Sequence, residues 1–352
     1  MGLLSFKNVG ISGMSAAVPR HAINNFDHNQ YFSKDDIRDI VEKIGVKERR
    51  LADEKTCSSD LCFAAAKQLI SGMNINRDEI DILIFISQTP DYRMPATSII
   101  LQNRLKLPTS TVCLDINLGC SAFLYGLTLA YSLIISGGVR KILILDGETR
   151  SKVYSQKDRK TAFLFGDAGI AALIEKDNKY GNSWFSLNSD GSRESLIKIP
   201  AGGYRNMSSC ETVKEKVVDE YGNMRSDENG YMNGADVFNF VIREVPKDFY
   251  RLIDYAGTDV STIDYYVFHQ ANSYINGFLA KKLKLIKEKI PLTIDKFGNT
   301  SSVSIPLTII SELHNKLQDH KRLLLSAFGV GLSWGTALID IDNCYIGEIL
   351  EV

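Results

Sequence analysis

The feature that most constrains the fold is an internal repeat relating the first half of the 352-residue chain to the second. Six segments recur in one order, at offsets of 165 to 183 residues: Asp81–Phe85 and Asp264–Phe268, Leu101–Leu107 and Leu279–Leu285, Asp115 and Asp295, Leu127–Thr128 and Leu307–Thr308, Lys141–Ile144 and Arg322–Leu325, Ala172–Ile174 and Ala337–Ile339. Similar strand compositions within an α/β protein explain any single match, but six ordered matches favour duplication. We therefore predict two related halves, residues 1–176 and 177–352.

Short β-branched runs alternate with amphipathic segments along both halves. Six runs are predicted to be buried strands: Ile82–Ile86, Thr111–Ile116, Lys141–Leu145, Ile170–Ile174, Tyr265–Phe268 and Arg322–Leu325. Helical periodicity covers residues 121–136, 235–255 and 305–318. Because continuous apolar runs are typical of strands covered on both faces, the pattern predicts an α/β fold. The polar stretch 202–230 is predicted to be an exposed excursion from the second half.

Composition excludes several classes of function. With 41 basic and 42 acidic side chains the net charge is −1, which argues against nucleic acid as the main ligand. No apolar run approaches the length of a membrane span, and the first residues lack a secretory signal, so we expect a cytoplasmic protein. The six cysteines form no Cys-x-x-Cys pair and have no histidine at ligand spacing, so we expect free thiols and no metal site.

Cys120 is the first candidate for chemistry. It follows the predicted strand at 111–116, comes directly after Gly119, and opens an amphipathic helix. A thiol at a helix N-terminus is favoured as the thiolate, which is the nucleophilic form. A small buried cysteine that lets helix and sheet pack closely explains the local sequence equally well.

Two further candidates lie in the second half. His269 directly follows the strand Tyr265–Phe268, and the carboxyl ends of strands are where α/β sheets bind ligands. Asn299 lies almost where the repeat places the counterpart of Cys120. Alone, His269 is more often a structural histidine, and Gly298-Asn299 is an ordinary turn and helix cap. The glycine-rich segment Gly329–Gly335 follows another strand and could present backbone N–H groups to an anion.

Taken together, these residues resemble those of the thiolase superfamily, and most closely β-ketoacyl-acyl carrier protein synthase III. The resemblance covers nearly the whole chain and is carried by Val46–Arg49, the Cys120 segment, Phe165–Asp167, His269–Asn272, Gly298–Ser301 and Gly329–Gly335. It implies a thiolase-like α/β fold in which the two duplicated halves form a five-layer αβαβα sandwich. It also implies a homodimer.

The resemblance implies a role for each candidate. Cys120 would be acylated by a primer thioester, and the carbanion formed by decarboxylation of malonyl-acyl carrier protein would attack that acyl group to give a 3-oxoacyl-acyl carrier protein. His269 and Asn299 would donate hydrogen bonds to the malonyl thioester oxygen as enolate charge develops. The backbone N–H groups of Cys120 and Val330 would hold the acyl oxygen, although the family usually has glycine at the latter position. CoA or phosphopantetheine thioesters would be substrates, with no bound cofactor.

Substrate recognition departs from the family pattern. Members that use acetyl-CoA stack its adenine between a tryptophan and an arginine, whereas the matching positions here are Asp39 and Lys43. A second stacking arginine is retained as Arg159. Met94 occupies the position that gates the acyl pocket across the dimer. We therefore expect a primer other than acetyl-CoA, in an accessory acyl pathway.

Lysines after the His269 motif form a candidate docking patch for the acidic carrier protein, although a solvated helix face explains any single one. They are Lys281, Lys282 and Lys284, followed by Lys287 and Lys289, while Tyr274 replaces an arginine usual in the family. Two alternative functions remain open. One is transfer of the Cys120 acyl group to an alcohol or amine on the same fold, and the other is a non-catalytic partner subunit.

Overall fold

The computed structural model describes residues 2–27 and 30–352, and both halves contain mixed helices and strands. The strands are β1 Gly2–Lys7, β2 Val9–Val18, β3 Ala22–Asn24, β4 Glu48–Arg50, β5 Ile80–Ile86, β6 Val112–Ile116, β7 Lys141–Thr149, β8 Asp167–Lys176, β9 Asn182–Ser189, β10 Ile197–Lys198, β11 Lys216–Val217, β12 Met224–Arg225, β13 Tyr231–Met232, β14 Tyr265–Phe268, β15 Lys321–Gly329, β16 Ser333–Ile341 and β17 Tyr345–Glu351. The α-helices are α1 Lys34–Ile44, α2 Ser58–Gly72, α3 Thr97–Arg104, α4 Ala122–Ile135, α5 Gly234–Ala256, α6 Ser273–Lys282, α7 Ile294–Phe297 and α8 Ser304–Glu312. None of these helices is both long and apolar enough to cross a bilayer.

Two large sheets repeat the same topology. One has the order β17-β2-β8-β7-β5-β6 and the other β1-β9-β16-β15-β14, so that β2-β8-β7-β5 corresponds to β9-β16-β15-β14. In both, the last two of these strands are parallel and the others antiparallel. Five of the six repeated segments fall on equivalent strands or helices. The exception is the pair Asp115 and Asp295, which lie in strand β6 and helix α7.

The elements form the expected five layers. Helices α4 and α8 lie between the sheets in one continuous apolar core to which both halves contribute. Helix α2 covers the outer face of the six-stranded sheet, and α5 and α6 cover that of the five-stranded sheet. The central helices also match in detail, because Thr128 and Thr308 each donate a hydrogen bond to the carbonyl four residues earlier. The thiolase-like α/β fold is thus confirmed.

The two end strands do not follow the division at residue 176. Strand β1 pairs with β9 in the sheet of the second half, and β17 pairs with β2 in the sheet of the first half. Each terminus therefore covers an edge that the other half would leave unpaired. The two end strands thus cross the predicted division at 176 and 177, and the assignment of the two halves as domains stays a prediction.

Two local predictions also need correction. The strand predicted at 111–116 is an edge strand with partly exposed side chains, and 56% of the surface of Val112 is accessible. The helix predicted for 305–318 ends at Glu312 and is followed by a 3-10 turn over His314–Lys316.

Candidate active site

The structure brings Cys120, His269 and Asn299 together in one pocket of about 570 Å³, which Gly329 and Val330 also line. Cys120 lies in the turn between β6 and α4, and His269 directly follows β14. Asn299 follows α7, and its backbone is held by hydrogen bonds from its own N–H to the Leu164 carbonyl and from the Gly166 N–H to its carbonyl, at 2.9 and 3.2 Å. Residues far apart in sequence thus face one cavity.

Close backbone packing fixes the position of the thiol. A Cβ atom on Gly329 would lie 2.5 Å from the Cys120 Sγ, so only glycine fits there. Likewise, a Cβ on Gly119 would lie 2.2 Å from a methyl carbon of Val330. These contacts place the two predicted oxyanion residues, Cys120 and Val330, side by side; their oxyanion role stays a prediction.

The pKa of Cys120 is lowered to about 7. Burial by itself raises it, but His269 lowers it by charge and hydrogen bonding, and Arg150 and Ser301 lower it further. The Ser301 hydroxyl lies 3.9 Å from the sulfur. Since α4 begins only at Ala122, the thiol lies just before the helix cap. The neighbouring side chains therefore lower the Cys120 pKa in addition to any effect of the helix dipole.

Ser304 sets the orientation of the His269 ring. Its hydroxyl lies 2.7 Å from Nδ1 and also accepts a hydrogen bond from the Gln270 N–H at 3.3 Å. In the neutral tautomer in which the hydroxyl donates to Nδ1, the ring hydrogen is on Nε2 and can be donated into the pocket. Phe328 packs edge-on against the imidazole, with ring centroids 5.5 Å apart.

The Asn299 amide is held at one end and available at the other. Its Oδ1 accepts a hydrogen bond from the Ser301 N–H at 2.9 Å, and its Nδ2 makes only a long contact of 3.4 Å to the Ala271 carbonyl. One Nδ2 hydrogen can therefore be donated into the pocket. A thiol, an imidazole and an amide donor facing one cavity can form an acyl-enzyme and stabilise an oxyanion.

Comparison with known proteins identifies the family. Models of the 3-oxoacyl-[acyl-carrier-protein] synthase III family match residues 114–191 and, for its C-terminal part, 253–341. The chain is 34% identical over 331 residues to a β-ketoacyl-[acyl-carrier-protein] synthase III of Clostridioides difficile, covering 94% of this chain and 97% of the relative. The chain belongs to the synthase III family. A Campylobacter jejuni protein provisionally named 3-oxoacyl-[acyl-carrier-protein] synthase 3 is 36% identical, with 98% and 97% covered.

A solved structure agrees with this assignment. The crystal structure of a 3-oxoacyl-(acyl-carrier protein) synthase from Burkholderia xenovorans LB400 superposes with a TM-score of 0.93 at 38% identity, and 99% of each chain is covered. The predicted family membership is therefore confirmed, and the protein is a condensing enzyme of the transferase class.

A wider cavity leads from the surface to the pocket. The two share Leu164, Met232, Gly234, Asn272 and Ile275. Lys43, Arg159 and Lys160 lie in the wall of the outer cavity, so two of the residues predicted to contact CoA are at its mouth. The Arg159 guanidinium lies 5.6 Å from the centre of the Phe32 ring and 6.0 Å from that of Tyr221, and 3.8 Å from Asp36.

The excursion at 202–230 packs against this mouth. Lys160 pairs with Asp219 at 3.0 Å, and Arg225 pairs with the buried Asp158 at 2.8 Å. Asn223 accepts a hydrogen bond from the backbone N–H of Arg159 at 2.9 Å. The excursion therefore holds Arg159 and Lys160 of the mouth from behind, and none of residues 202–230 lines the cavity itself.

The remaining predicted site residues lie outside the pocket. Met94 is 77% exposed and does not line the Cys120 cavity of its own chain, so its gating role across a dimer stays a prediction. Lys281, Lys282 and Lys284 are exposed at the C-terminal end of α6, whose N-terminal turn forms part of the mouth. Lys282 also donates a hydrogen bond to the Ile242 carbonyl.

Sequence analysis missed Ser304 and Arg150. Ser304 begins α8 just beyond the motif around Asn299, and nothing in its local sequence marks contact with a histidine. Arg150 directly follows β7 and lines the pocket. The rule that selected His269, a polar residue immediately after an apolar strand, selects Asp146 after the predicted strand Lys141–Leu145, because the sequence did not show that β7 extends to Thr149.

We expect alkylation of Cys120 by iodoacetamide to rise with pH through a midpoint near 7, because the thiolate reacts and its pKa is about 7. In His269→Ala, the effect of burial, which raises the Cys120 pKa, is opposed only by the weaker contributions of Arg150 and Ser301. The midpoint should therefore move to higher pH, and the alkylation rate at pH 7 should fall about 10-fold for each pH unit of that shift. Peptide mass spectrometry measures this, with buried Cys62, whose pKa is raised by burial, as the slow internal control. An unchanged midpoint in the variant would contradict the coupling.

Proposed function

We propose that the protein joins an acyl group carried on Cys120 to the two-carbon unit of malonyl-acyl carrier protein, giving a 3-oxoacyl-acyl carrier protein and CO₂. The observation that carries the proposal is the meeting of Cys120, His269 and Asn299 in one buried pocket of a synthase III family member. Family relatives supply the reaction class, and the pocket supplies a group for each step.

In the first step the Cys120 thiolate attacks the carbonyl carbon of a thioester primer. The new bond joins Sγ to that carbon, the bond to the carrier sulfur breaks, and the carrier leaves as a thiol after taking up a proton. The lowered pKa of Cys120 provides thiolate at neutral pH. Backbone N–H groups of Cys120 and Val330 hold the oxygen as it becomes negative.

In the second step the malonyl thioester loses CO₂, and the electron pair of the broken bond forms an enolate. Donors from His269 Nε2 and Asn299 Nδ2 stabilise its oxygen, and this contribution grows as charge develops. The enolate carbon then attacks the acyl carbon on Cys120, and the thiolate is the leaving group. The cysteine is thereby regenerated.

The outer cavity is proposed to hold the pantetheine arm of the substrates. Lys43 and Arg159 at its mouth fit the phosphate-bearing end of CoA or of a carrier-protein arm. The exposed lysines Lys281, Lys282 and Lys284 would attract the acidic carrier protein. A net charge of −1 for the whole chain is compatible with such a local positive patch.

The primer is proposed to be other than acetyl-CoA, because Asp39 and Lys43 occupy the positions where acetyl-CoA users stack adenine. Incubation with separate acyl-CoA and acyl-carrier-protein thioesters, followed by intact-protein mass spectrometry, identifies the acyl group taken up. Loading by acetyl-CoA alone would overturn the proposal.

The condensation itself is tested by supplying malonyl-acyl carrier protein to the loaded enzyme. We expect CO₂ and a 3-oxoacyl-acyl carrier protein in equal amounts. Transfer of the acyl group to an added alcohol or amine, with no CO₂ released, would instead establish the alternative acyltransferase.

We also propose a homodimer built on the edge of the six-stranded sheet. Four large apolar side chains are exposed near this edge: Tyr92, Met94, Ile99 and Val112. No strand within residues 2–27 and 30–352 pairs with the outer side of β6, so a second copy can continue the sheet and cover these side chains.

Sedimentation measures this association. We expect a mass of two chains for the wild type and a shift toward one chain for Val112→Asp, because a carboxylate would be buried without a partner. The matched control is Val213→Asp, at a similarly exposed valine in the excursion, which should stay dimeric. A monomeric wild type would overturn the proposal.

A further inference from the structure

Arg150 is a buried guanidinium in the wall of the catalytic pocket. Only 5% of the residue is accessible, and it lines the pocket together with Cys120. Its Nη1 donates to the Gln88 Oε1 at 3.3 Å and its Nη2 to the Tyr154 hydroxyl at 3.0 Å. Its buried Nε has no hydrogen-bond partner, and no carboxylate of residues 2–27 and 30–352 forms an ion pair with it.

The guanidinium is held beside the nucleophile. Gln88 connects the two, because its Oε1 contacts Arg150 and would lie 2.8 Å from a Cβ on Gly119. The Tyr154 and Phe165 rings stack at 3.9 Å, and the guanidinium carbon lies 5.4 and 5.8 Å from their centres. This packing keeps the planar group in one place, as an anion-binding arginine requires.

The nearby negative charge does not satisfy Arg150 directly. Glu148 is buried, and its two oxygens accept hydrogen bonds from the Gln88 N–H and the Thr89 hydroxyl at 3.1 and 3.0 Å. Burial also raises the pKa of Glu148, which weakens it as a counter-charge. Arg150 also interacts with the Cys120 thiolate, but that charge is lost when Cys120 is acylated, and an anion brought by the acyl group would then offset the cost of the buried cation.

Arg150 and Tyr154 line the inner pocket but not the outer cavity, whereas Leu164 and Met232 line both. A group bound by Arg150 therefore belongs to the end of the substrate that passes beyond the mouth. We propose that the acyl group taken up by Cys120 ends in a carboxylate, as in a short dicarboxylic half-thioester, and that Arg150 and the Tyr154 hydroxyl bind that carboxylate.

This binding mode depends on the acyl-enzyme proposed above and specifies the chemical class of the acyl group that Cys120 carries. In the loading step Sγ attacks the thioester carbon, the bond to the CoA sulfur breaks, CoA leaves as a thiol, and the distal carboxylate is unchanged. The malonyl carboxylate fits Arg150 less well, because a guanidinium bound to it would stabilise the carboxylate more than the departing CO₂ and so slow its loss.

Succinyl-CoA and butyryl-CoA provide a matched test, because their acyl groups have equal length and differ by a carboxylate in place of a methyl group. We expect wild type to load succinyl at least about 10-fold faster, and Arg150→Met to reduce this ratio by about 10- to 100-fold, the effect of losing a hydrogen-bonded charge. The ratio is the readout because a change in Cys120 reactivity affects both substrates equally. Glutaryl-CoA against valeryl-CoA repeats the test with one more carbon.

Arg150→Lys provides a second variant if Arg150→Met fails to fold, and we expect it to retain part of the preference. Equal loading within both pairs by wild type, or ratios unchanged in both variants, would overturn the inference. An unchanged ratio with a raised KM for malonyl-acyl carrier protein would overturn it in favour of a malonyl site. Selective loading of succinyl without later CO₂ release would refute the proposed condensation but support the proposed acyl class. Condensation from butyryl alone would support the condensation and refute the acyl class.

Discussion

Replacing Cys120 by alanine is expected to abolish the acyl-enzyme and to reduce formation of 3-oxoacyl product at least about 1,000-fold. The thiol is the atom to which the primer is joined, and its lowered pKa makes it the reactive cysteine. The other buried cysteines, Cys62 and Cys344, have pKa values raised by burial and do not line the pocket. No second thiol is therefore placed to take over.

The fold should tolerate this change. Alanine keeps the Cβ that packs against Gly329, and α4 begins two residues later with its own backbone contacts. Circular dichroism and thermal unfolding should therefore match those of the wild type. Uncoupled CO₂ release can persist, because His269 and Asn299 remain, so the measured quantities are the acyl adduct and the 3-oxoacyl product.

The matched control is Cys210→Ala, which removes an exposed cysteine in the excursion. It should load and condense as the wild type does. An acyl adduct that persists in Cys120→Ala but disappears in Cys210→Ala would contradict the assignment of the nucleophile.

The sequence predicted the interior of the fold well because local pattern and internal repeat agree there. The strand at Tyr265–Phe268 has the predicted bounds. Its counterpart in the first half, predicted at Ile82–Ile86, begins two residues earlier, at Ile80. The repeat related Asn299 to Cys120, and the family resemblance assigned Cys120 and His269 to one site although 149 positions separate them. Periodicity alone does not contain that information.

Pairing of the chain ends could not be predicted in this way. Whether β1 lies beside β9 or beside a strand of its own half depends on which sheet edge is left open, a non-local property of the assembled sheets. The same limit applies to Arg150. Its sequence shows a charge after a strand, but only the packed structure shows that the charge is buried beside Cys120 without an ion pair.

Ser304 illustrates a finer limit. The family resemblance implied that His269 donates a hydrogen bond to the substrate, but the side chain that contacts its Nδ1 lies 35 residues later. A serine at the start of a helix is ordinarily explained as a cap. Its role depends on a distance of 2.7 Å to Nδ1, which no spacing rule supplies.

Replacing Asn299 by alanine is expected to reduce condensation by about 100- to 1,000-fold while leaving loading of Cys120 nearly unchanged. The amide donor is needed only when enolate charge develops on the malonyl thioester, whereas acyl transfer to the cysteine precedes that step. The loop should hold its shape, because the backbone of Asn299 is bonded to Leu164 and Gly166 independently of the side chain.

Asn299→Asp separates the donor from the local structure. At pH 8 the ionised carboxylate still accepts the hydrogen bond from the Ser301 N–H, as Oδ1 does at 2.9 Å, but it cannot donate. Loading is measured by intact mass and condensation by CO₂ release from malonyl-acyl carrier protein. A loss of condensation in Asn299→Asp that is at least as large as in Asn299→Ala supports the donor role. Retention of condensation by Asn299→Asp would show instead that the amide only shapes the loop, because a carboxylate beside a developing enolate would oppose the reaction by charge repulsion as well.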